Sequence, residues 1–92
     1  MTVTKVVQVV NQAGLHARPC HAIVSTALEF PCSLRIRHAT SDHPGVNGKS
    51  ILELMTLEAA MGTSLEFLAE GEGQEELLTK LTSLVERGFG EP

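Results

Sequence analysis

The stretch Gly14-Leu15-His16-Ala17-Arg18-Pro19 constrains this chain more than any other, because its proline fixes where a helix has to begin. Proline lacks a backbone N–H and is tolerated in a helix only in the first turn, where that hydrogen would have had no partner. Downstream, Cys20, Ile23, Val24, Ala27 and Leu28 keep the spacing of an apolar helix stripe. Upstream, Val3 to Val10 reads as a strand with Val3, Val7 and Val9 facing a core, and Asn11-Gln12-Ala13-Gly14 reads as a turn. His16 therefore falls at or beside the helix N-cap, where free backbone N–H groups and the positive end of the helix dipole converge. Arg18 adds a fixed positive charge. An imidazole in that setting is a nucleophile beside an anion site, and the anion that fits is a phosphoryl group carried on the ring itself.

Length and charge remove several other readings. Ninety-two residues make one small domain, 1–92, with no repeat or linker. A net charge of −4 and only three scattered phenylalanines, with no Trp or Tyr, offer neither a basic groove nor stacking platforms for nucleic acid. No apolar run approaches the ~20 residues a membrane span needs, and nothing at the start reads as a secretory signal. A cytoplasmic protein is expected, with Cys20 and Cys32 kept as thiols. The spacing of His16, Cys20 and His21 allows a metal or redox site as a rival, but it lacks a fourth ligand and would occupy the nucleophile. No metal and no cofactor is expected.

Pro31 closes the first helix by biasing Phe30 out of the helical region. Ser33-Leu34-Arg35-Ile36-Arg37-His38 alternates apolar with polar and predicts a half-buried strand, Arg35 and Arg37 lying on its exposed face. His38 and His43 are read as solvated, and Thr40 to Gly45 as a turn leading to a short strand through Val46. Ser50 opens a brief helix holding Ile51, Leu52, Leu54 and Met55. Leu65, Phe67 and Ala69 alternate with Glu66 and Glu70 as a last strand, and Leu77, Leu78, Leu81, Leu84 and Val85 mark a final helix closed by Gly88. The order β-α-β-β-α-β-α with amphipathic strands predicts an α+β fold, one antiparallel sheet with its helices on a single face.

Together with Gly48-Lys49-Ser50-Ile51, the His16 stretch resembles the histidine-containing phosphocarrier protein family, HPr, of the bacterial phosphotransferase system. The resemblance runs essentially end to end and includes the tail Gly88-Phe89-Gly90-Glu91. It implies an open-faced β-sandwich with a four-stranded antiparallel sheet in the order 1-4-2-3 and three helices on one face. It implies that His16 accepts a phosphoryl group at Nδ1 from Enzyme I, itself charged by phosphoenolpyruvate, and donates it to an enzyme IIA domain. The phosphate oxygens would then lie beside the N–H groups of Ala17 and Arg18, with the Arg18 guanidinium pairing with them. The resemblance implies a monomeric carrier in a relay, not a stand-alone catalyst. It further implies that Ala17, His21, Leu52 and Met55 dock partners and that Ser50 is a regulatory site for an HPr kinase/phosphorylase. Read from the residues alone, Ser50-Ile51-Leu52-Glu53 is a capping box, in which hydroxyl and carboxylate satisfy opposite N–H groups.

The chain departs from the family pattern in three places. No Lys or Arg lies between Arg18 and Arg35, where Ser25 and Leu28 stand at positions that commonly carry lysines facing an acidic Enzyme I surface. The turn from His38 to Gly45 is longer than usual, and Glu58-Ala59-Ala60-Met61 replaces a more glycine-rich stretch. The missing basic face favours an alternative: a regulatory module of the same fold, controlled at His16 or Ser50, that feeds no sugar transport.

Overall fold

The structure is a computed structural model that describes residues 1–92. Its elements are β1 (Val3–Gln8), α1 (Ala17–Ala27), β2 (Ser33–His38), β3 (Val46–Asn47), α2 (Ile51–Met55), β4 (Ser64–Glu70) and α3 (Gln74–Glu86), followed by a short 3-10 turn over Gly88–Gly90. The strands form one antiparallel sheet in the order β1-β4-β2-β3. This is the α+β open-faced architecture expected.

Period-two alternation sends one set of side chains to each face of the sheet. Leu34 and Ile36 of β2 and Leu65, Phe67 and Ala69 of β4 are buried, and the register sets Leu34 opposite Ala69, Ile36 opposite Phe67 and Val7 opposite Leu65. α1 lays Pro19, Cys20, Ile23, Val24 and Ala27 onto this surface, and α3 adds Leu77, Leu78, Leu81 and Val85. Phe67 lies at the centre with no exposed surface, and burying a side chain of that size contributes about 2–3 kcal/mol.

The outer face is less idle than its polar pattern implies. Arg37 stands directly across from Glu66 and pairs with it, Nε at 2.9 Å and Nη2 at 2.8 Å from Oε1. Arg37 Nη1 also donates to the His43 carbonyl at 3.0 Å, while Arg35 donates from Nε to Pro44 O at 3.2 Å and from Nη2 to Gly45 O. These two arginines hold the long turn instead of merely being solvated, because strand register places both beside its carbonyls. His38 is likewise half-buried: its Nε2 lies 2.7 Å from Leu57 O. A carbonyl only accepts, so that ring nitrogen carries hydrogen and ties β2 to the end of α2.

Element ends shift by a few residues. β1 stops at Gln8, not Val10, although Val9 stays fully buried and still exchanges hydrogen bonds with Thr63 O at 2.8 Å and Gly62 N at 2.7 Å. α1 ends at Ala27, since the chain must already be turning to deliver Phe30 to Pro31 in an extended form. Lys49 Nζ then donates to Phe30 O at 2.7 Å, satisfying a carbonyl just past the helix. α3 starts at Gln74, before its first buried leucine, because Gly73 takes a left-handed backbone and Gln74 Oε1 accepts from Gly71 N at 3.0 Å.

Candidate functional site

The turn after β1 sets the site. Gly14 has φ +68 and donates to Asn11 O at 3.2 Å, Leu15 N donates to Ala59 O at 2.8 Å, and the Leu15 side chain sinks into the core. The backbone of His16 is extended, with φ −82 and ψ −172, and its carbonyl accepts from Cys20 N at 3.2 Å, so His16 is the N-cap of α1. Its side chain makes no capping bond, and the ring is 40% exposed. The N–H groups of Ala17 and Arg18 make no hydrogen bond within the protein, and Arg18 is exposed without an ion-pair partner. Two free donors, a helix N-terminus of eleven residues and an unpaired guanidinium thus surround one solvent-facing imidazole.

Sequence reasoning missed the ring's direct partner. His16 Nε2 lies 2.9 Å from Glu91 Oε1, and the same oxygen accepts from Asn11 Nδ2 at 2.9 Å. Asn11, only 1% exposed, also gives an N–H to Gly14 O at 2.9 Å. The hydrogen bond from His16 and then that from Asn11 hold the Glu91 carboxyl below the usual carboxylate range, and the charges of His16 and Arg18 add to the effect. The tail carried a weak signal in its Gly88-Phe89-Gly90 turn sequence, but nothing in a linear pattern ties it to His16.

Ser50 caps α2 as expected, its Oγ accepting from Glu53 N at 3.2 Å. The reciprocal half of the capping box is absent. Ser50 N donates to Asn47 O at 3.1 Å, so the Glu53 carboxylate takes the next free donor, Asn47 N, at 2.9 Å. Ser50→Ala should therefore lower stability by about 1 kcal/mol, read as a shift of the urea midpoint, because one N–H of a five-residue helix loses its acceptor. Beyond the cap, Leu54 is core and Ile51 is half-buried, whereas Leu52 is 80% and Met55 41% exposed. Ala17 and His21 are both exposed and, four residues apart, share one face of α1.

Cys20 is fully buried, burial pushes its thiol up, and Sγ lies 3.8 Å from Leu15 O. His21 points to solvent, so His16, Cys20 and His21 are not gathered as ligands, and no group of three or more His, Cys, Asp or Glu side chains is positioned to hold a metal ion. None of the three surface grooves is lined by His16. The ring stands on an open surface, 40% exposed.

The open-faced sandwich has known counterparts. A family model described as the PTS HPr component phosphorylation site matches residues 3–87. The phosphocarrier protein HPr of Pseudomonas aeruginosa is 36% identical over 85 residues, covering 92% of either chain, and that of Neisseria meningitidis serogroup A is 38% identical over the same span and coverage. The crystal structure of HPr-C-His from Thermoanaerobacter tengcongensis superposes with a TM-score of 0.88 at 34% identity, over 98% of each chain. The chain belongs to the HPr family of phosphocarrier proteins of the phosphotransferase system.

Proposed function

We propose that His16 is the phosphoryl acceptor, taking the group from phosphoenolpyruvate-charged Enzyme I and passing it to a histidine of an enzyme IIA domain. The observation that carries this reading is the N-cap histidine whose ring makes no cap, set beside the unpaired N–H groups of Ala17 and Arg18. The Nδ1 lone pair attacks phosphorus as the donor's N–P bond breaks and its electron pair returns to the donor nitrogen. Backbone N–H groups and the Arg18 guanidinium then meet the phosphoryl oxygens. The site is shallow, so the group is held without being trapped. Ala17 and His21 of α1 and Leu52 and Met55 of α2, all exposed, form the docking surface, the two large apolar side chains of α2 giving it an adaptable part that suits several partners. The carrier works as a monomer in the cytoplasm, and no helix is long and apolar enough to cross a membrane.

One observation favours a second reading, a regulatory module. α1 has no basic residue in its last turn and no Lys or Arg after Arg18, so electrostatic steering to an acidic Enzyme I is weak. Ser50, half-buried at the α2 N-cap, is its second switch: an HPr kinase/phosphorylase would place phosphate at a favourable helix end but against Glu53.

Incubation with Enzyme I, Mg²⁺ and ³²P-labelled phosphoenolpyruvate should give an acid-labile, base-stable adduct that is absent from His16→Ala and moves on to an enzyme IIA domain. An adduct that goes no further supports the regulator, and no adduct at all overturns the carrier.

A further inference from the structure

The last residues are tied down on the face that presents His16. Gly88 is buried, Phe89 adopts a left-handed backbone with φ 57 and packs half-buried against the core, and Glu91 N donates to Gly88 O at 3.0 Å. Gln12 N donates to Pro92 O at 2.8 Å, fastening the tail to the turn before His16. Between these anchors the Glu91 side chain is only 14% exposed, with His16 Nε2 and Asn11 Nδ2 each 2.9 Å from Oε1. Asn11 bridges that carboxylate to Gly14 O. Carboxylate, turn and ring are thereby one hydrogen-bonded unit.

We propose that Glu91 is a positioning residue for His16, holding Nε2–H so that the Nδ1 lone pair faces the incoming phosphoryl group. The functional half of this proposal rests on the phosphoryl-acceptor reading above. An ionised carboxylate only accepts, so the hydrogen between Nε2 and Oε1 belongs to the ring, and in the neutral imidazole Nδ1 is then the free nucleophile. The hydrogen bond also removes ring rotation, which fixes the direction of attack. When the Nδ1–P bond forms, the donor's N–P bond breaks with its pair returning to the donor, and no proton changes hands. The ring becomes positively charged, and the carboxylate beside Nε2 stabilises that charge. On discharge the Nδ1–P bond breaks, its electron pair returns to Nδ1, and the Nε2 proton is still in place. Partners that orient a metal-bound histidine through its second nitrogen commonly cost about 10–100-fold in affinity or activity when removed, and a loss of that order is expected here.

The experiment compares the full chain with Glu91→Gln and Glu91→Asp by ¹⁵N spectroscopy of the His16 ring and by rates of ³²P transfer from charged Enzyme I. In the unaltered protein the neutral ring should show a single Nε2–H tautomer. Glu91→Gln should give a mixture, lower the maximal rate at least about 10-fold with the half-saturating concentration little changed, and leave the urea midpoint and amide spectrum near their original values. Glu91→Asp, which keeps the charge, should recover part of the rate. Ring shifts that are the same in all three proteins overturn the proposal. So do altered ring shifts with an unaltered transfer rate, which make the contact structural only. A chain that takes no phosphate from charged Enzyme I overturns the carrier reading instead, and the ring shifts still decide whether Glu91 holds Nε2.

Discussion

Arg18→Ala is expected to slow phosphoryl transfer through His16 about 100-fold, the usual consequence of removing one preorganised donor from the place where charge develops, and to leave the fold intact. Arg18 is exposed on the first turn of α1 and makes no ion pair or hydrogen bond within the protein, so no native contact is lost with its guanidinium. Surface substitutions of that kind stay within about 0.5 kcal/mol. In the proposed transfer its worth would lie in the moment when three phosphoryl oxygens spread charge beside the Ala17 and Arg18 N–H groups. Arg18→Lys should fall between, because an ammonium supplies the charge but not the planar pair of donors that matches two oxygens. Rates of ³²P transfer and urea midpoints, measured on the same preparations, separate the two roles. An unchanged transfer rate in Arg18→Ala removes the residue from the mechanism.

The two effects expected of Arg18 mirror what the sequence did and did not disclose. Features encoded by local repetition were readable: the alternation in Ser33–His38, the stripe Cys20, Ile23, Val24 and Ala27 (though not its last member Leu28, which falls past the helix and is exposed), and the proline that forces His16 to the helix front. Each needs only the neighbours within two turns of chain. Glu91 was not readable, because its partners His16 and Asn11 lie 75 and 80 positions away and no period links them. Arg37 and Glu66 failed for the same reason, being neighbours only through the β2–β4 register. The capping box was half right because the hydroxyl bond is local to α2, whereas the choice between Ser50 N and Asn47 N depends on how the chain enters from β3. The place of His16 at the helix front was thus legible and its hydrogen-bond partner was not, which is the usual division when a ring sits on one element and its partner comes from a distant end of the fold.

Gly14→Ala should then be the most damaging single methyl in the site. A Cβ built on Gly14 would lie 2.4 Å from Ala59 O and 3.0 Å from Ala60 Cα, both backbone atoms, at a φ of +68. The left-handed conformation alone costs a side chain about 1–2 kcal/mol. Relieving the clash means pushing the turn away from the Ala59 carbonyl, which breaks the 2.8 Å bond from Leu15 N and adds about 1 kcal/mol. Gly62 supplies the control, since it too has a positive φ, +94, yet nothing lies within 4 Å of its Cβ position. Gly62→Ala should lose only the conformational part, about 1 kcal/mol, and Gly14→Ala about 3 kcal/mol, read from urea unfolding of both. The difference should also appear in phosphoryl transfer, because a displaced turn carries His16 away from Glu91 and from the free N–H groups of α1. Equal destabilisation by the two alanines would mean that the Gly14–Ala59 approach does not set the position of the ring, and with it would go the argument that the turn, and not α1 alone, aims the histidine.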